Sequence, residues 1–142
     1  MVERAAVVAE ARSWIGTPWV HQHRAKGVAV DCAGLVIGVA RALGLLPAGF
    51  DVTGYGRHPD GSLIAVCDQH MRRIHGNDLQ PGDVLVVAIE KDPQHMGIVG
   101  DYRHGGLSLI HAASKAGQVV ESRLLFVRNF RFRGAYALPG VD

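Results

Sequence analysis

Cysteine is scarce in this chain: Cys32 and Cys67 are the only two in 142 residues. They lie far apart, and neither belongs to a CxxC pair, which excludes a disulfide framework and a cysteine-built zinc site. Each is a free thiol, to be judged by its surroundings. Long apolar runs are missing as well. The opening MVERAAVVAEARSWIG is broken by charge at every few residues, unlike a signal peptide or a membrane span. The expectation is a product with no signal peptide and no membrane span, made in the cytoplasm and either retained there or exported by another route. No segment is rich in Ser, Gln or charges of one sign, and the 18 glycines are scattered rather than repeated, so disorder beyond the ends is not expected. The formal charge of +2 is mildly basic. It suits an anionic surface but lacks the footprint of a nucleic-acid binder.

What is present is a composition of 48% hydrophobic and 20% charged residues, enough for one domain over residues 1–142 to bury its own core. From Val2 to Ile15 the apolar residues Val2, Ala5, Ala6, Ala9 and Ile15 roughly follow helical spacing, and Gly16 with Pro18 ends the pattern. Residues 17–30 mix Pro, Gly, His and Lys without a period and read as a connecting loop. Cys32 to Leu45 is apolar almost all round, the character of a helix in the middle of a domain, with Asp31 placed to cap it and Gly44 with Pro47 to stop it. After Ser62, Leu63, Cys67, Met71 and Ile74 recur at four, four and three residues, which predicts a third helix ending before Gly76.

From Pro81 the pattern changes to short β-rich runs at 83–89, 95–100, 107–112, 118–122 and 130–138, separated by turn residues. Helices first and strands afterwards, with connections too short for helical crossovers, predict an α+β fold: helices packed on one side of an antiparallel sheet.

Three residues in this pattern suit nucleophilic chemistry. Cys32 follows its cap directly, in the first helical turn, where unpaired N–H groups and the positive end of the dipole stabilise a thiolate. Ala33 and Gly34 leave room for a carbonyl, and backbone N–H groups there would hold an oxyanion. His95 opens a short strand, and its ring is expected at a sheet edge, where a base is well positioned. His111 lies near the end of the next strand, so two antiparallel neighbours joined through DYRHGG would bring the imidazoles together, His111 orienting His95. The competing reading is a buried structural cysteine and chance histidines among the eight present. His21 and His23 form an HxH pair, but no HExxH, carboxylate cluster or cysteine pair completes a metal site, so neither a metal nor another cofactor is expected. Arg123, Arg128, Arg131 and Arg133 read as a solvated strand face.

Taken in order, DCAGLV at 31–36, PGDVLVV at 81–87, HMGIVG at 95–100 and IHA at 110–112 resemble the motifs of NlpC/P60 peptidases over most of the chain. The resemblance implies a papain-like α+β fold with five or six strands, and cleavage of the amide between D-glutamate and diaminopimelate, or a related bond, in peptidoglycan stem peptides. It implies Cys32 as nucleophile, His95 as base and His111 as the third polar residue, with Trp19, His21 and Asp31 near the substrate. Two departures stand out. Trp19 occupies the place where the family usually has a tyrosine, and residues 21–27 replace a Trp-Gly-Gly segment. The stretch GTPWVHQHRAKGVAVDCAGLV is most similar to the compact form found in phage tails and gene transfer agents, which implies tail proteins as partners and delivery to the cell wall by a tail particle. The alternatives are a tail-assembly adaptor that acts by binding, and an amidase, acyltransferase or antibacterial effector on the same scaffold.

Overall fold

A computed structural model describes residues 1–47, 49–52, 62–89, 92–125 and 130–142. The first helix, α1 (Arg4–Arg12), buries Val7, Val8 and Ala11. It is shorter than the expected span from Val2 to Ile15, with Trp14 buried in the turn that follows it. Residues 17–30 are more than a connection. They contain a hairpin of two short strands, β1 (Arg24–Ala25) and β2 (Ala29–Val30), whose two-residue length leaves almost no alternation to read. The second helix, α2 (Cys32–Ala42), buries Ala33, Gly34, Leu35, Val36, Ile37, Val39 and Ala40. Nearly all its faces are covered, as its uniformly apolar sequence requires. Trp14 lies against Gly38, where an added Cβ would come within 2.4 Å of the indole ring.

The third helix, α3 (Ser62–His70), carries Leu63 and Cys67 into the core but stops before the predicted end. Arg72–Ile74 is instead a strand, β3. Met71 and Ile74 therefore kept helical spacing by coincidence. A single 3₁₀ turn at Gly76–Asp78 leads to the remaining strands: β4 (Val84–Ile89), β5 (Asp92–Asp101), β6 (Leu107–Ala113), β7 (Gln118–Arg123) and β8 (Phe130–Ala137). They form a six-stranded sheet of order β3-β8-β4-β5-β6-β7, antiparallel at every pairing.

The main core joins Val7, Ala11, Leu35 and Val39 of the helices to Val84, Val86, Met96, Ile98, Ile110 and Tyr136 of the sheet. A smaller cluster of Leu85, Val87, Val99, Leu109 and Ala135 forms from the alternate positions. The fold is thus α+β with α1 to α3 gathered on one core. Among the described residues, no helix is long and apolar enough to cross a membrane.

The Gly82–Asp83 turn fastens α1 to the sheet. Gly82 has φ +92° and lies against Arg4, where an added Cβ would meet the Arg4 backbone at 3.3 Å, so only glycine fits without strain. Asp83 is buried; its Oδ1 accepts from Arg4 Nη1 at 2.7 Å and its Oδ2 from the Gln80 backbone N–H at 2.8 Å.

Candidate active site

Cys32 is the first residue of α2 and is half-buried. The residue before it, Asp31, is extended (φ −111°), and its Oδ1 accepts from the Gly34 backbone N–H at 2.8 Å. This is the expected cap, with the thiol at the positive end of the helix. The carboxylate does more than cap. Its Oδ1 also accepts from Arg24 Nη1 at 3.2 Å, and its Oδ2 accepts from the Gln22 backbone N–H at 2.7 Å, Gln22 being held at φ +57°. Arg24 reaches on to Asp51 and to the Val52 carbonyl. Asp31, only 2% exposed, thus pins the segment before the cysteine, and residues 21–24 wrap around it. For Cys67, burial and the neighbouring Asp68 charge push the thiol up to about 12. Such a thiol is inert at neutral pH.

His95 and His111 lie on adjacent strands and are both buried, and their rings are in contact. His95 Nε2 is 2.7 Å from His111 Nδ1, with the rings nearly perpendicular at 78°. The expectation that His95 sits at a sheet edge is corrected: β5 begins at Asp92, and His95 pairs with Val87 in the interior of the sheet. Burial first, and His111 second, lowers the His95 pKa well below its ordinary value; burial alone lowers that of His111. Two neutral imidazoles share one proton in their bond. If His95 Nε2–H donates, His95 Nδ1 is bare and available as a base. If His111 Nδ1–H donates, it is not. The far nitrogen of His111, Nε2, lies 3.4 Å from Ser122 Oγ on β7.

The helix bearing Cys32 packs on the strands bearing the histidines, α2 against β5 and β6. Trp19 is half-buried against the main core, and its backbone N–H donates to the Gly117 carbonyl. His21 Nδ1 stands 3.9 Å from Asp31 Oδ2. Among the described residues, no three His, Cys, Asp or Glu side chains group as a metal site. Arg131 and Arg133 are exposed, Arg123 lies over the Tyr102 ring, and Arg128 falls outside the described residues. Sequence reasoning passed over Ser122, Gly97 and Arg24. Only the strand register reveals the first two, and only the buried carboxylate the third.

A helix with a capped cysteine at its start, packed on an antiparallel sheet that holds a buried imidazole pair, defines a papain-like arrangement. Comparison with solved structures narrows this to the NlpC/P60 fold. No family model and no curated protein sequence matches the chain. NlpC1 from Trichomonas vaginalis is similar with a TM-score of 0.69 and 17% identity over 93% of this chain. That likeness covers 42% of NlpC1, so the present chain spans less than half its length. The NlpC/P60 domain of the peptidoglycan hydrolase SagA is similar with a TM-score of 0.66 and 23% identity, over 96% of this chain and 99% of that one. An N-acetylmuramoyl-L-alanine amidase from Bacteroides uniformis is similar with a TM-score of 0.60 and 12% identity, over 96% of this chain and 98% of that one.

Proposed function

We propose that this chain is a cell-wall hydrolase, and more specifically a cysteine peptidase that cleaves amide bonds of peptidoglycan stem peptides. The observation that carries the proposal is the buried His95–His111 pair on the two strands against which the Cys32 helix packs. In this reading His95 Nδ1 takes the proton from the Cys32 thiol, and the thiolate attacks the scissile carbonyl carbon. The N–H groups at the start of α2, before Gly34 whose N–H is bound to Asp31, hold the oxyanion. Protonated His95 then gives its proton to the departing amine as the C–N bond breaks, leaving a thioester on Cys32. Water, deprotonated by His95, attacks the thioester, and the acid product leaves as the Cys32 thiol is restored. His111 keeps the His95 ring in one orientation throughout.

Within that class, the resemblance of the motifs supports the bond between D-glutamate and diaminopimelate. The segment from Gly16 to Val36 supports a tail-borne enzyme, made in the cytoplasm and carried to the wall by phage-tail partners. A second reading, amidase chemistry on the same scaffold, draws support from the similarity to the Bacteroides amidase.

Mass spectrometry of defined muropeptides incubated with wild type and with Cys32→Ala tests the proposal. Cleavage by wild type alone is expected, and the mass of the product identifies the bond: a stem-internal amide for the peptidase, the sugar-proximal amide for the amidase. Equal cleavage by both proteins, or by neither while both remain folded, overturns it.

A further inference from the structure

The mechanism above uses one nitrogen of His111, whereas the ring has two. Nδ1 faces His95 at 2.7 Å and Nε2 faces Ser122 Oγ at 3.4 Å. The register explains why the three residues line up. On β6 and β7, Leu109 pairs with Ser122 and His111 with Val120, so Ser122 lies diagonally across from His111 on the same side of the sheet. Ser122 is partly buried, and His111 is almost wholly so.

We propose that Ser122 is a positioning residue for the histidine pair, holding His111 in the tautomer that makes His95 a base. The inference rests on the cysteine hydrolase reading. Its logic is a chain of three residues joined by two donors pointing one way. His95 Nδ1 is bare only if the shared proton sits on His95 Nε2, which requires His111 Nδ1 to be an acceptor. A neutral imidazole with Nδ1 bare carries its proton on Nε2, and that N–H points at Ser122 Oγ, which accepts it. A hydroxyl accepts or donates by rotating, but the reverse direction, with Ser122 donating to Nε2, places a proton on His95 Nδ1 and removes the base. Without the hydroxyl, the His111 Nε2–H loses an acceptor in a buried site. The other tautomer loses the hydroxyl as a donor to its bare Nε2, but an orphaned buried N–H costs more than an orphaned lone pair, so the balance shifts toward Nδ1–H.

The test compares wild type, Ser122→Ala and Ser122→Thr, which retains the hydroxyl, by long-range ¹H–¹⁵N correlation of the histidine rings at neutral pH. A His111→Asn spectrum identifies the His111 signals. kcat and KM are measured on a cleaved muropeptide with the same proteins. Wild type and Ser122→Thr are expected to show His111 protonated on Nε2. Ser122→Ala is expected to show Nδ1 protonation, with kcat lowered about five- to tenfold, the worth of one hydrogen bond, and KM unchanged. A wild-type tautomer in Ser122→Ala overturns the inference, as does a changed tautomer with unchanged kcat. If wild type cleaves no muropeptide, the hydrolase reading fails on that arm alone, and the nitrogen spectra still decide what Ser122 does to His111.

Discussion

A β-carbon on Gly97 would stand 2.9 Å from Cβ of His111 and 2.6 Å from the Ile110 carbonyl oxygen. Neither neighbour is the loose end of a flexible chain, so β5 approaches β6 at the distance the imidazole pair needs only because residue 97 has no side chain. Gly97→Ala is expected to destabilise the fold by about 1–3 kcal/mol, the usual cost of overpacking, read from the urea midpoint. Its kcat should fall further than the loss of folded protein explains, because the strand shift separates His95 from His111. Wild-type kcat in a folded Gly97→Ala protein would show that the 2.7 Å contact is dispensable.

The two thiols should react differently. Iodoacetamide at neutral pH is expected to add one carbamidomethyl group, on Cys32, because the Cys67 thiol is pushed up to about 12 by burial. His95→Ala should slow Cys32 alkylation at least tenfold if the imidazole activates the thiol. Intact-mass time courses measure both. Equal rates in wild type and His95→Ala would separate the two residues chemically.

Removing His111 should be milder than removing His95. On the proposed roles, His111→Ala keeps nucleophile and base but loses orientation, and a drop in kcat of about 10- to 100-fold is expected against a near-total loss for His95→Ala. Steady-state kinetics on one muropeptide provide the comparison, and identical losses would make the two histidines equal partners rather than base and orienter.

Acid should weaken the fold through the same pair. Both histidines have folded pKa values lowered by burial, so both contribute stability that is complete above the ordinary value of 6.5 and is lost as pH falls toward about 4 for His111 and about 3 for His95. Between pH 7 and pH 5 the His111 shift alone corresponds to about 2 kcal/mol. Urea unfolding across that interval is expected to show the slope, and His111→Asn to reduce it to the part that buried His95 contributes. A wild-type midpoint constant from pH 7 to pH 5 would mean that the pair is not buried in neutral form.

Asp31→Ala leaves the Gly34 and Gln22 N–H groups and the Arg24 guanidinium facing a vacated carboxylate site. A loss of about 3–5 kcal/mol is expected, in the range for breaking a buried pair, with Asp31→Asn milder because the amide oxygen still accepts from Gly34. Chemical denaturation checks the order, and an Asp31→Ala protein as stable as wild type would reduce Asp31 to a surface-like cap.

The parts of the fold visible in the sequence were those with a local physical signature. The helix at Cys32 was legible because an acidic cap precedes an apolar stretch, and the structure shows Asp31 accepting from Gly34. The strands after Pro81 were legible from β-rich runs between turns. The strand at Arg72–Ile74 was not, because its pairing with β8 joins residues more than sixty positions apart, and the helical spacing of Met71 and Ile74 imitated a continuing helix. Ala29 and Val30 carry no strand signal in the sequence because a two-residue strand has no period. At the site, residue types and order pointed to His95 and His111. The place of His95 inside the sheet, the opposition of Gly97 and the reach of Ser122 are properties of register, which single-chain patterning leaves open.

The segment carrying Trp19 also closes the outer margin of the sheet. Gly16 N–H donates to the Val119 carbonyl, Val119 N–H to the Thr17 carbonyl and Trp19 N–H to the Gly117 carbonyl, while Pro18 bridges Gln118. Backbone groups of β7 that would otherwise template another strand are occupied by the chain's own loop. Changes that lift residues 16–19 would therefore bare an adhesive edge, and self-association in solution would be an early sign that this loop had come away.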